Sequence, residues 1–288
     1  MIRLDAATVL LQWATGGLLF LWVTTRRREV GIGYGWLLRA VYAVLAFGAA
    51  AIGLAFDAVP VRDVGALGVA LATIVALVVS IGRRKAGVAG EHARRDRLAA
   101  RVPSVAAADA SSGPSASAAG DAARAEFPPQ LDLIAPVIGV VGLVAAGMAA
   151  GGPNLLAVAR VVAGALFLGA VSDAMLLGHW YLVQPGLGRG PLLELNRWLA
   201  LTWPLEVGLL LWPTGMLSVL TGTVDDGWDG TLGWFWVACA ITTLVLTAVT
   251  KAALKERAYS AVMAATGLLY LAILTAFGTD LVARAILA

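Results

Sequence analysis

"LLAVARVVAGALFLGAVSDAMLLGHWYLVQPGLGRGPLLELNRW" (residues 155–198) reads as two apolar rods joined by a turn rich in proline and glycine. A helix needs about 20 apolar residues to cross the ~30 Å hydrocarbon core of a bilayer. The run at roughly 155–182 meets that length, "VQPGLGRGP" (183–191) breaks it, and a second run opens at 192. Within this hairpin stand groups that hydrocarbon rejects: Asp173 and His179 on the first rod, and Asn196, Arg197 and Glu206 on the second. The apolar lengths define the class of fold, and the polar exceptions define the candidate site.

The same pattern repeats along the 288 residues, which are 60% hydrophobic and 14% charged. A soluble domain of this size carries about 25% charged residues. Runs bounded by charge or by Gly/Pro turns fall at roughly 5–25, 36–56, 63–82, 133–150, 155–182, 192–221, 231–250 and 257–279. The fold class is therefore all-α, a polytopic integral membrane helical bundle of about eight transmembrane helices. The run at 5–25 is expected to be a retained span, because its arginine cluster follows the apolar stretch instead of preceding it.

Orientation follows from charge. Cytoplasmic loops are enriched in Lys and Arg. With both termini outside, all but four of the 21 basic residues fall in inside segments or at inner helix ends; the four are Arg3, Arg62, Arg160 and Arg284. An N-out, C-out chain in a bacterial-type cytoplasmic (inner) membrane is expected. The net charge of +3 is thus an orientation signal and predicts no nucleic-acid partner. Membrane lipid and partner subunits of a membrane complex are the expected partners. Cys239, the single cysteine, lies in an apolar run and reads as a small packing residue.

Three regions result. Residues 1–82 hold the first three helices. Residues 83–132 form a basic, largely disordered cytoplasmic linker that starts as "RRKAGVAGEHARRDRLAAR", a stretch able to lie on the inner surface as a short helix. Its Ala/Ser/Gly-rich middle has little to bury. Residues 133–288 form a five-helix unit carrying the polar hairpin 172–206.

At 1.5 Å of rise per residue, Asp173 lies roughly 9 Å deeper than His179. Matching depths across the hairpin predicts two polar tiers: His179, Asn196 and Arg197 near the inner mouth, and Asp173 with Glu206 near the midplane. Trp180, Tyr181 and Trp198 would line the mouth as stacking walls or as members of the interfacial aromatic belt. Acids at bilayer depth are functional candidates by default, although a neutral acid bonded to a neighbouring helix is the plain structural alternative. The helical wheel restricts the tiers, since Asp173 and His179 diverge by about 120° and Arg197 and Glu206 by about 180°. A bend at Pro204 would be needed to relax the second restriction.

The sequence offers one histidine in an apolar run and no Cys/His cluster, so neither a self-contained haem pair nor a metal site is expected. The outer turn with Asp225, Asp226 and Asp229 reads as a solvated turn, with cation attraction as its sharper alternative. Three function classes remain. The first is a membrane subunit of a redox or respiratory-type complex, with a cytoplasmic-side site for a quinone between the fifth and sixth helices. There His179, Asp173 and Glu206 would handle protons, while His179, Trp180, Tyr181, Asn196, Arg197 and Trp198 would hold the ligand. The others are a proton-coupled small-solute transporter and a structural anchor whose polar groups only fix packing; a lipid-modifying enzyme lacks an evident nucleophile.

Overall fold

The computed structural model describes residues 4–100, 126–151, 154–184, 186–212, 215–256 and 258–288, with the backbone alone described at 97–100 and 154. The alanine- and serine-rich linker middle, Arg3, Pro213 and Arg257 lie outside the described residues. Every regular element among them is helical: α1 Ala6–Thr25, α2 Ile32–Phe56, α3 Pro60–Gly82, α4 Arg84–Ala100, a 3-10 turn Pro129–Leu133, α5 Ile134–Ala149, α6 Asn154–Val183, α7 Gly190–Leu211, the short α8 Met216–Leu220, α9 Thr231–Ala253 and α10 Tyr259–Ile286.

Local chemistry starts these helices where they start. Asp5 caps α1 by accepting the amides of Ala7 at 3.1 Å and Thr8 at 3.2 Å, which satisfies donors that no helical carbonyl can reach. Pro60 and Pro191 stand in the opening turns of α3 and α7, where a missing N–H costs nothing.

Seven helical segments are long and apolar enough to cross a membrane. The 22-residue α7 matches them in length, but it carries Glu194, Arg197 and Glu206. Large apolar side chains such as Val44, Phe47, Leu71, Val78, Val137 and Leu274 stand exposed around the outside, while Arg, Asp and Glu side chains are buried within. That inverted distribution suits a lipid surround, and the chain is an all-α polytopic bundle.

Two helices form the axis. In α1 and α6 the apolar windows are 67% buried, against 33–44% elsewhere. α1 packs on α2, α5 and α6; α6 packs on α1, α5, α7 and α10; and α9 joins α10. The helices before and after the linker therefore close into one body. α1 and α6 touch through glycine: a Cβ added at Gly16 would overlap the carbonyl oxygen of Ala165, and one at Gly169 would overlap the backbone of Gly16. Without a hydrophobic force between helices in lipid, this close backbone approach supplies much of the association. A buried bidentate pair, Arg39 Nε to Asp132 Oδ1 at 2.8 Å and Nη2 to Oδ2 at 2.6 Å, ties α2 to the turn before α5.

Two expected spans change length. The run expected at 192–221 is a helix only to Leu211. Trp212 is extended (φ −91°, ψ 158°) because a proline follows it and disfavours the helical region for its predecessor. The last span continues past 279 to Ile286, carrying Asp280 and Arg284 inside the helix. Part of the basic segment, 84–100, is the helix α4.

Candidate functional site

The α6–α7 hairpin forms as expected, but its polar groups turn to different neighbours. Asp173 on α6 is fully buried and faces α2, where the Tyr42 hydroxyl donates to its Oδ1. Tyr34, two turns earlier on α2, donates to the Asp173 carbonyl at 3.4 Å. Gly17 of α1 makes room for this, since any Cβ there would strike the Tyr42 ring. Asp173 Oδ2 and the adjacent Ser172 Oγ are buried with no hydrogen-bond partner among the described residues.

Glu206 on α7 is also fully buried, and it faces α10 and the start of α6. Its charged neighbours are Asp280, Arg284 and Arg160. Arg284 Nε donates to Asp280 Oδ2 at 2.8 Å, leaving Arg284 Nη1 and Nη2, Asp280 Oδ1 and both Glu206 oxygens without a well-formed bond among the described residues. Two carboxyl groups side by side cannot bond each other unless a proton lies between them. Arg160 has a second duty: its Nε donates to Leu209 O at 2.9 Å and its Nη2 to Trp212 O at 2.5 Å. It thereby satisfies carbonyls left open where α7 ends. Gln12 of α1 completes the cluster, donating to Val161 O at 2.6 Å and leaving its own Oε1 unpartnered. A Cβ at Gly164 would lie 2.6 Å from Gln12 Nε2 and 2.9 Å from Asp280 Oδ1, so that glycine lets α6 pass between them.

A crevice of about 20 Å³ lies beside this cluster, lined by Asp5, Thr8, Asp57, Arg62 and Arg284 among others. That is space for a single water. Arg62 pairs there with Asp5 and, at 2.7 Å, with Asp63.

The expected inner mouth is not assembled. His179 is exposed and its Nδ1 lies 3.1 Å from the Tyr270 hydroxyl of α10. Asn196 is buried against α9, donating to Thr247 O at 3.0 Å. Arg197 is exposed, and Trp198 is 39% exposed with its ring in a T-shaped contact with Phe20. Tyr181 is buried and donates to Gly188 O at 2.5 Å, bracing the hairpin turn. Trp180 donates to Gln184 Oε1 at 3.0 Å and meets Tyr34 edge-on. Thus Asp173, His179 and Asn196 point to α2, α10 and α9. The cause is the divergence of about 120° between Asp173 and His179 on α6; Pro204 within α7 does not bring Arg197 and Glu206 to one face.

The acidic turn before α9 is structural. Asp226 accepts from the amides of Trp228, Gly230 and Leu232 at 2.9 Å each and Gly233 at 3.1 Å, capping α9. Desolvation pushes its carboxyl upward, but these four donors outweigh it and hold the acid below its ordinary range. No group of three or more His, Cys, Asp or Glu able to hold a metal occurs among the described residues.

Sequence reasoning missed Asp280 and its partner Arg284. The available signal was their spacing of four, which lets opposite charges pair along one helix face. Tyr34 and Tyr42 carried no such mark. Compared with family models, characterised proteins and solved structures, the chain shows no significant match.

Proposed function

We propose that the chain is a proton-coupled integral membrane protein, most simply a small-solute transporter, whose buried acids Glu206, Asp280 and Asp173 carry the coupling protons. The carrying observation is the Glu206–Asp280 contact, with five carboxyl and guanidinium atoms that have no formed partner among the described residues in a buried site. A structural cluster tends to satisfy such atoms, because each orphan costs about 1–3 kcal/mol or more when charged. Atoms left open are available to protons and water. Asp173, with one oxygen on Tyr42 and one free, is a second station further along α6. In this reading the arginine-rich end faces the cytoplasm of a bacterial-type cell, α7 supplies the eighth span, and the acid cluster lies toward the outer face.

Charge movement tests the proposal without a known solute. Proteoliposomes adsorbed on a solid support should give transient currents on a pH jump that protein-free vesicles lack. Glu206→Gln should abolish them while the protein stays folded. Wild-type currents indistinguishable from empty vesicles would end the proposal.

A second reading, a redox-complex subunit with a quinone-type ligand, has one observation in its favour. The His179–Tyr270 pair is a polar group at the exposed surface of the bundle, where a membrane-dissolved ring could accept a hydrogen bond. Quinone turnover unchanged in His179→Ala would remove that support.

A further inference from the structure

A large open cavity lies at the arginine-rich end, away from the acid cluster. It measures about 850 Å³ and is bounded by the α1–α2 loop, α4 and the α6–α7 turn. Arg27, Arg28, Arg94 and Arg95 line it, against Glu29 and Glu91, with Val183 and Leu187 as an apolar floor. The four arginines are not equivalent. Arg28 and Arg94 both hold the buried Glu126, at 2.9 and 3.1 Å, and serve as fixed walls. Arg27 is 3.6 Å from Glu194, which Arg26 already engages, and Arg95 pairs at 2.5 Å with Glu91 one turn away. Both have side chains 58% exposed, so their guanidinium groups are free to turn toward a ligand.

The level of the cavity identifies that ligand. α1 ends at Thr25 and α6 at Val183, and Trp22, with Arg26 stacked 5.1 Å over its ring, lies at the same height as the end of α1. Tryptophan and arginine together mark the headgroup zone of a bilayer. Val183, 62% exposed, continues the floor toward the acyl region. A pocket with arginines above and apolar side chains below matches a phosphate diester joined to a lipid backbone. Basic pockets of this kind between helices on the cytoplasmic side bind anionic headgroups. We propose that this cavity binds the phosphate headgroup of an anionic membrane lipid, with Arg27 and Arg95 as the ligand-seeking cations and Arg28 and Arg94 as its fixed walls. The proposal is independent of proton coupling.

Native mass spectrometry of the full chain in mild detergent tests it. Added dioleoyl-phosphatidylglycerol should be retained by the wild type in preference to dioleoyl-phosphatidylcholine. Arg27→Gln/Arg95→Gln should weaken that retention by about thirty-fold, from two near-surface arginines. Lys251→Gln/Lys255→Gln, basic positions at the same end but outside the cavity, should not, and Arg27→Lys/Arg95→Lys should keep most of the binding. Millimolar inorganic phosphate should fail to displace the lipid; full displacement would reassign the cavity to a free phosphate and overturn the lipid assignment. Equal retention of both lipids by the wild type, or equal retention of phosphatidylglycerol by the wild type and the glutamine variant, would overturn the proposal outright.

Discussion

Arg284→Met tests whether the Glu206–Asp280–Arg284 cluster is a desolvated charge network. Arg284 is 1% exposed and Asp280 and Glu206 are fully buried, and Arg284 Nε holds Asp280 Oδ2 at 2.8 Å. Methionine keeps the packing volume but leaves two adjacent carboxyl groups with Arg160 as their remaining cation. Breaking a buried pair by removing one partner costs about 3–5 kcal/mol, whereas replacing both partners by apolar groups of similar volume is often neutral or stabilising by about 1–4 kcal/mol. Arg284→Met alone should therefore lose about 3–5 kcal/mol. Arg284→Met/Asp280→Leu should recover most of it, while the pH-jump current is lost because an acid is gone. Equilibrium unfolding in mixed micelles titrated with a denaturing detergent gives all the energies of this double-mutant cycle. A single variant within about 1 kcal/mol of wild type, with no coupling to Asp280, is what exposed ion pairs show. That result would refute the premise that these charges sit away from water.

Three further outcomes are expected. Tyr42→Phe removes the hydrogen bond formed to the Asp173 carboxyl group and, by leaving a buried acceptor unmet, should cost about 1–3 kcal/mol in the same unfolding assay; an unchanged stability would show that water already serves that oxygen. Gly16→Ala places a methyl group against the Ala165 carbonyl of the neighbouring backbone, and overpacking of this kind costs about 1–3 kcal/mol, to be read as a lower unfolding midpoint, with wild-type behaviour refuting the close α1–α6 contact. Asp226 is held below its unfolded value by the amides it caps, so its contribution is complete above about pH 3.9 and is lost as pH falls through the folded value. The melting temperatures of wild type and Asp226→Asn should separate above that point and converge in stronger acid, and a gap constant across the whole range would exclude the carboxylate as the cap.

Hydropathy made most of the bundle legible because lipid imposes one rule on every outward residue. The expected run at 155–182 became Asn154–Val183, and the run at 231–250 became Thr231–Ala253. Boundaries failed where a local rule outranked hydropathy. At Trp212 the following proline ended a helix that composition alone would have continued. At Asp280 the opposite happened: a carboxylate read as a stop signal remained helical because Arg284, four residues on, answers its charge. A charge on an apolar helix is an end only while it is unpaired, and pairing across a turn is invisible to an average over a window.

The site was legible in its acids and not in their directions. Asp173 and Glu206 were conspicuous because an acid at bilayer depth is costly, and both are fully buried. Placing them together required that consecutive helices share their polar faces, yet consecutive helices share only their contact face. α6 contacts α1, α5, α7 and α10, so a polar residue on it has several neighbours to choose from, and its angle around the axis decides. Asp173 points to α2 through the space left by Gly17, and Gly164, nine residues earlier, opens the backbone to Gln12 and Asp280. Nine residues turn a helix by about 900°, which places these two positions on opposite sides. The glycines therefore carried the missing information: where a central helix loses its side chain, a polar group from another helix occupies the gap. Asp280 lies at Gly164 and Tyr42 at Gly17, so in a bundle this tightly crossed the partners of buried acids are found by following the small residues, not the charged ones.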